Sequence, residues 1–162
     1  MGAGKSTVGR RLAKRLNVPF HDSDDEIKIA AGCSIEDIFE LYGEAEFRAG
    51  EKRVMERLLD EGPMVLATGG GVFMNPEIRA QILNAATSVW LKASLDALAE
   101  RTSRRGGRPL LKTGDPKKTL EKLTTERYPI YKQAIVHINT DNENHDSAVD
   151  LIIEALKDQD ST

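Results

Sequence analysis

The chain opens on Gly2-Ala3-Gly4-Lys5-Ser6-Thr7, and an apolar repeat of helical period follows at once. Few short segments restrict a fold as much. Glycines let backbone N–H groups close on an anion at a helix N-terminus, the lysine reaches outer phosphates, and the next hydroxyl can ligate Mg²⁺. The segment therefore reads as the second half of a nucleoside-triphosphate loop. Its nucleotide-contacting candidates are Gly2, Ala3, Gly4, Lys5, Ser6 and Thr7, with Lys5 also catalytic and Ser6 also a metal ligand. A glycine-rich tail before a helix with a surface lysine is the bland alternative, and the position of Gly-Lys-Ser-Thr at the helix start weighs against it. The full pattern begins with a glycine that falls before Met1, and the strand that feeds such a loop is missing too. The expectation is a misplaced or engineered start.

Past the loop, Val8, Leu12, Ala13 and Leu16 keep helical spacing until Asn17 and Pro19 stop it. Pro19-Phe20-His21 reads as a strand running into the acidic Asp22-Ser23-Asp24-Asp25-Glu26 at the start of another helix. Helical patterns follow over 27–31, 35–41 and 44–59; Gly62-Pro63 then precedes the apolar Met64-Val65-Leu66-Ala67, a strand of buried parallel type. Further helices are expected over 76–83, 94–102 with Ser94 as cap, 119–128 and 148–156, and strands over 88–91 and 134–138. Residues 103–115 break the pattern with glycines, arginines and a proline, as a mobile lid would. Short apolar strands alternating with helices imply an α/β fold, a parallel sheet covered on both faces. A length of 162 residues suits a single domain.

Three groups of residues suit the acceptor side of a phosphoryl transfer. In Asp22-x-Asp24, Asp22 fits a Mg²⁺ role through water, and Asp24 can accept a hydrogen bond from a substrate hydroxyl and take its proton. An acidic helix start with a capping aspartate would look the same. Gly69, Gly70 and Gly71 follow a strand, where bare backbone can reach a ligand; a flexible turn would also use them, but the C-terminal edge of a parallel sheet favours binding. Arg48 and Arg127 can each hold a carboxylate by paired hydrogen bonds, although either alone is an ordinary helix-surface arginine. In the lid, Arg108 is the side chain set to neutralise transferring phosphates, against the alternative of a solvated basic loop.

Composition narrows the partners. Lys and Arg total 23 against 26 Asp and Glu, a net charge of -3, so the global basic field that nucleic-acid binding needs is absent. Cys33 is the only cysteine and can form no internal disulfide or metal pair, which fits a reducing cytoplasm. No leader and no apolar run of membrane-spanning length is seen.

Taken in order, Gly-Ala-Gly-Lys-Ser-Thr from Gly2, Asp22-Ser23-Asp24, Gly43-Glu44 with Phe47-Arg48, Gly69-Gly70-Gly71, Arg108-Pro109-Leu110-Leu111 and Arg127-x-Pro129-x-Tyr131 resemble shikimate kinase across nearly the whole chain. The resemblance implies a P-loop kinase of three-layer α/β/α build with strand order 2-3-1-4-5. Strand one is then the piece absent here, 24–60 the substrate-binding helical region and 103–115 the lid. It implies ATP-dependent phosphorylation of the 3-hydroxyl of shikimate, a step of aromatic amino-acid biosynthesis. By motif, Asp24, Arg48, Gly69, Gly70, Gly71 and Arg127 would hold shikimate, Lys5 and Arg108 the phosphates, and Ser6 with Asp22 the Mg²⁺. Lys5, Asp24 and Arg108 would be catalytic, and Arg101 would lie against adenine. Glu51, one turn after Arg48, would orient the substrate arginines, unless it is a simple surface ion pair. A monomer acting on ATP and shikimate, with neither nucleic acid nor membrane as partner, completes the expectation.

The nearest rival is a kinase for another polyhydroxy acid such as gluconate. A nucleotide-binding module without catalysis is a second, motivated by the missing strand, and an NTP-dependent nucleic-acid enzyme ranks last. His21, His137 and His145 have no partners at metal spacing and read as structural or surface residues. Cys33 has no paired base, and Trp90 on an apolar strand reads as core.

Overall fold

The computed structural model describes residues 2–103, 115–141 and 144–160. Arg108, and all of the expected lid except its two end residues, lie outside the described residues. The contacts divide the chain into two compact units, Gly9–Ala86 and Met1–Val8 with Thr87–Thr162. Helix α1 (Lys5–Leu16) runs from one into the other.

In the first unit, α1 ends where Asn17 takes the left-handed φ of 55°, letting the Val18 N–H reach back to the Ala13 carbonyl at 3.0 Å. Strand β1 (Phe20–Asp22) follows and pairs in parallel with β2 (Val65–Ala67), in the register Phe20↔Val65, His21↔Leu66 and Asp22↔Ala67. Parallel neighbours need a crossover, and α2 (Ser23–Ala31) with α3 (Ile35–Asp60) supplies it. The last turns of α1 lie on β1 because Gly9 has no side chain; a Cβ there would stand 2.7 Å from the Phe20 ring.

Helix α3 joins the two helical patterns expected over 35–41 and 44–59. A reciprocal Ser34–Asp37 capping box starts it. Gly43 breaks it at φ 82° and ψ 175°, a conformation essentially reserved for glycine. After β2 comes a single 3₁₀ turn, Val72–Met74, and then α4 (Pro76–Ala85), with Asn75 as cap and proline at the first position. The core here has two parts: Ile27, Ile38, Phe47, Val54 and Leu58 between the crossover helices, and Met55, Val72, Ile78 and Ile82 under α4.

The second unit repeats the arrangement. Strand β3 (Val89–Lys92) pairs in parallel with β4 (Val136–Asn139), from Val89↔Val136 to Lys92↔Asn139. Helices α5 (Leu95–Ser103) and α6 (Pro116–Tyr131) lie between them in sequence, and α7 (His145–Asp160) follows. Ser94 caps α5 as expected, its hydroxyl accepting the Ala97 N–H at 3.2 Å. Helix α6 is longer than the expected 119–128. Asp115 caps it ahead of Pro116, and Pro129 is accommodated in the last turn, where Lys132 still bonds the Tyr128 carbonyl at 3.0 Å. Ala93, Leu98 and Leu120 form the buried centre. The described strands thus form two two-stranded parallel sheets, β1–β2 in the first unit and β3–β4 in the second. Among the described residues no helix is long and apolar enough to cross a membrane.

Candidate active site

The phosphate-loop residues are built into the second unit from below. Gly2 is buried with φ 74°, and a Cβ on it would meet Thr102 Cγ2 at 3.2 Å and the Leu98 carbonyl at 3.3 Å. Ala3 packs on the Ala93, Leu98 and Leu120 centre. Gly4, at φ 85°, accepts the Val8 N–H at 2.9 Å and so opens α1, which places Lys5, Ser6 and Thr7 on the first turn. A helix N-terminus carries partial positive charge and N–H groups directed along its axis, which is the chemistry a polyphosphate needs. Lys5 is half-buried and Ser6 exposed.

His145, read from the sequence as a structural or surface residue, lies beside this loop. The His145 ring packs against Gly4, with Nε2 3.3 Å from where a Cβ would be. Asn144 caps α7 by accepting the Asp146 and Ser147 N–H groups at 2.9 and 2.8 Å, and so sets the histidine at the first position of that helix. No spacing in the sequence links residue 145 to residue 4.

Arg101 is anchored at the end of β4. Its guanidinium donates to the Thr140 hydroxyl at 3.2 Å and to the Thr140 carbonyl, while Thr140 itself is buried and bonded to the Lys92 carbonyl. Arg127 lies on α6, one turn before Tyr131. Burial pushes the Tyr131 phenol above its ordinary 10.0, with Arg127 pulling the other way. That ring stands edge-on to Trp90 at 6.0 Å, and Tyr128 stands edge-on to the same indole at 4.9 Å. Trp90 is core, as its strand implies.

The acceptor candidates gather in the first unit, where β1 and β2 end side by side. Asp22 caps α2 by accepting the Asp24 N–H at 3.0 Å. Ser23 is fully buried, and its hydroxyl accepts the Gly69 N–H at 3.0 Å. Asp24 then lies against the glycine turn: a Cβ on Gly69 would be 2.8 Å from Asp24 Oδ1. A Cβ on Gly71 would be 2.6 Å from Arg48 Nη1. Gly70, between them, is half-buried. A side chain at 69 or 71 would displace the Asp24 carboxylate or the Arg48 guanidinium from its present place.

Arg48 is held at 2.8 Å by Glu51, which is only 2% exposed, and more loosely by Glu44 at 3.6 Å. A simple surface ion pair is therefore ruled out for Glu51. A buried carboxylate with one arginine partner fixes that guanidinium firmly. The structure brings Asp22, Asp24, Arg48, Glu51, Gly69 and Gly71 into one neighbourhood; Lys5, Ser6, Arg101 and Arg127 belong to the other unit.

A Gly-Lys-Ser loop at a helix start, on an α/β frame of parallel strands, defines a P-loop phosphate-binding protein. The family described as shikimate kinase matches residues 1–157. A shikimate kinase of Bradyrhizobium diazoefficiens is 54% identical over 157 residues, which are 97% of this chain and 76% of its own length. The solved shikimate kinase from Acinetobacter baumannii in complex with shikimate is 36% identical with a TM-score of 0.92, covering 98% of this chain and 89% of its own. The chain belongs to the shikimate kinase family. A gluconokinase from Sinorhizobium meliloti, 19% identical with a TM-score of 0.61, shares the fold alone, which leaves the gluconate alternative without support beyond architecture.

Proposed function

We propose that this chain transfers the γ-phosphoryl group of ATP to the 3-hydroxyl of shikimate, giving ADP and shikimate 3-phosphate for aromatic amino-acid biosynthesis. The observation that carries the reading is the pairing of unlike charges on one glycine turn: the Asp24 carboxylate at Gly69 and the Glu51-backed Arg48 guanidinium at Gly71. An acceptor with a carboxylate and several hydroxyls needs both, the arginine for its acid group and the aspartate for a hydroxyl.

In the reaction the hydroxyl oxygen forms the new bond to the γ-phosphorus as the bond to the β–γ bridging oxygen breaks, and Asp24 takes the hydroxyl proton. Lys5 and Arg108 balance phosphate charge, the backbone from Gly2 to Thr7 cradles the phosphates, and Arg101 lies against the base. Gly70 and Arg127 complete the shikimate contacts. Most of the acceleration comes from positioning and charge neutralisation.

A Mg²⁺ ion would neutralise charge on the phosphates. The donors present fit it: the Ser6 hydroxyl and the Asp22 carboxylate are hard oxygen ligands. Asp22 already gives one oxygen to the α2 cap. Ser6 and Asp22 would hold the ion at the transferring phosphates. A cytoplasmic monomer, one domain with 24–60 as acceptor region and 103–115 as lid, remains part of this reading, supported by the lone Cys33 and the family.

The test is ADP release from MgATP with shikimate and, separately, with gluconate. Release that depends on shikimate alone supports the assignment. Gluconate-dependent release would replace it, and tight MgATP binding without turnover on either acid would leave a nucleotide-binding module.

A further inference from the structure

We propose that Ser23 is a positioning residue of the acceptor site, its buried hydroxyl holding the Gly69 backbone so that the glycine turn stays against the Asp24 carboxylate. The inference rests on the shikimate reading above and adds a residue that contacts no reactant.

The β1–β2 ladder has its last residue pair at Asp22↔Ala67. Beyond it the backbone of β1 turns into α2 and has no further rung to offer. The Ser23 hydroxyl takes over, accepting the Gly69 N–H at 3.0 Å from a position with no solvent exposure. Helix capping does not explain this serine: Asp22 is the cap and makes the capping bond itself. The hydroxyl is spent on the neighbouring strand end.

Its placement couples three things. Ser23 and Asp24 are consecutive, so one side chain grips the Gly69 N–H while the next rests its carboxylate on Gly69. The Gly69 carbonyl accepts the Val72 N–H at 3.2 Å, so the residue is tied at both ends of its backbone. Two residues on, Gly71 accepts the Met74 N–H at 3.1 Å and forms the wall against Arg48. Loss of the Ser23 bond frees the upstream end of this turn and lets the Asp24 and Arg48 walls shift against each other. A proton acceptor must sit within hydrogen-bond reach of the hydroxyl it serves, so a small displacement is felt in catalysis.

Ser23→Ala and the closer-sized Ser23→Cys are compared with the wild type in steady-state kinetics, MgADP binding, thermal melting and amide exchange at Gly69. In the folded variants the KM for shikimate rises about tenfold and kcat falls, while the KM for ATP and the Kd for MgADP stay within about twofold. The Gly69 amide is protected in the wild type and exchanges faster in both variants, and Ser23→Thr, which keeps the hydroxyl, recovers protection and the shikimate KM. A Ser23→Cys enzyme with the wild-type shikimate KM overturns the proposal. So does a variant in which both KM values and the melting temperature move together, since that is general destabilisation. A wild-type chain without shikimate-dependent turnover overturns the functional reading itself, a failure visible before any variant is compared.

Discussion

Arg48 and Glu51 stand one helical turn apart, and the carboxylate is almost wholly removed from water while the guanidinium remains 40% exposed on its side chain. The pair is therefore asymmetric: the buried partner fixes geometry and the exposed partner remains open to a ligand. Lysine keeps the charge at position 48 but loses the planar fork that engages Glu51 and a substrate carboxylate together. Arg48→Lys is expected to raise the KM for shikimate by about ten- to a hundredfold, since hydrogen bonds to charged groups contribute roughly 1.5–3 kcal/mol each. The KM for ATP is expected to stay put, and steady-state kinetics with each substrate varied in turn checks both. Arg48, Asp24 and the glycines stand out in the sequence only as a set, since each alone also reads as a surface arginine, a capping aspartate or a flexible turn. Glu51 was half legible, because an arginine and a glutamate three residues apart look the same whether the helix face is wet or dry. The contacts of Ser23 and His145 gave no signal in the sequence. What these residues do is set by a contact 46 residues away for Ser23 and by one at the opposite end of the chain for His145, and only folding creates such contacts.

Elements set two further expectations. Gly43 interrupts α3 in a conformation that L-residues rarely adopt, yet a Cβ on it would meet nothing within 4 Å. Gly43→Ala therefore isolates backbone strain and should cost about 1–3 kcal/mol. Gly50, in the same helix, has only the tip of Arg53 at 3.9 Å, so Gly50→Ala should stabilise by about 0.5–1 kcal/mol. Denaturant midpoints of the two variants, moving in opposite directions, check the pair. At the junction of β1, α2 and α3, Glu26 receives His21 at 2.8 Å and Arg57 at 2.7 Å. These hydrogen bonds, His21 first, hold its carboxyl below the ordinary value of 4.5. A carboxyl depressed in the folded state contributes stability that is present above 4.5 and is lost as the pH falls through that value towards the folded one. Glu26→Gln should flatten that acid limb, as urea midpoints followed from pH 6 to 3 (roughly the carboxylate range) would reveal. Several element boundaries were legible because caps and breakers are local: Ser94 caps and Asn17 stops a helix as the sequence predicts, whereas α7 extends beyond the expected 148–156 at both ends. The exceptions are also physical. The sequence divides α3 at Gly43 because a broken helix and two helices share one apolar pattern, and it ends α6 early because Pro129 reads as a stop although only its last turn had to accommodate it.

For the whole molecule, the loop and the two crossover units account for the family likeness over nearly the full chain, while the roles of individual residues rest on the two neighbourhoods where side chains meet. If the metal enters with the nucleotide, MgADP at a hundredfold excess over its Kd should stabilise the protein by about 2.7 kcal/mol, or roughly 5–10 °C in melting temperature. Adding a chelator should remove most of that shift and all turnover, and a melting series with ADP, MgADP and MgADP plus chelator decides it. A shift of equal size without metal would assign the affinity to the loop alone. The aromatic cluster on β3 and α6 has a use of another kind. Trp90 is the only tryptophan in 162 residues, and Tyr128 and Tyr131 stand within energy-transfer range of its indole. Light absorbed by those tyrosines is re-emitted by a single buried fluorophore, so the chain carries its own optical gauge of how α6, and Arg127 on it, is seated.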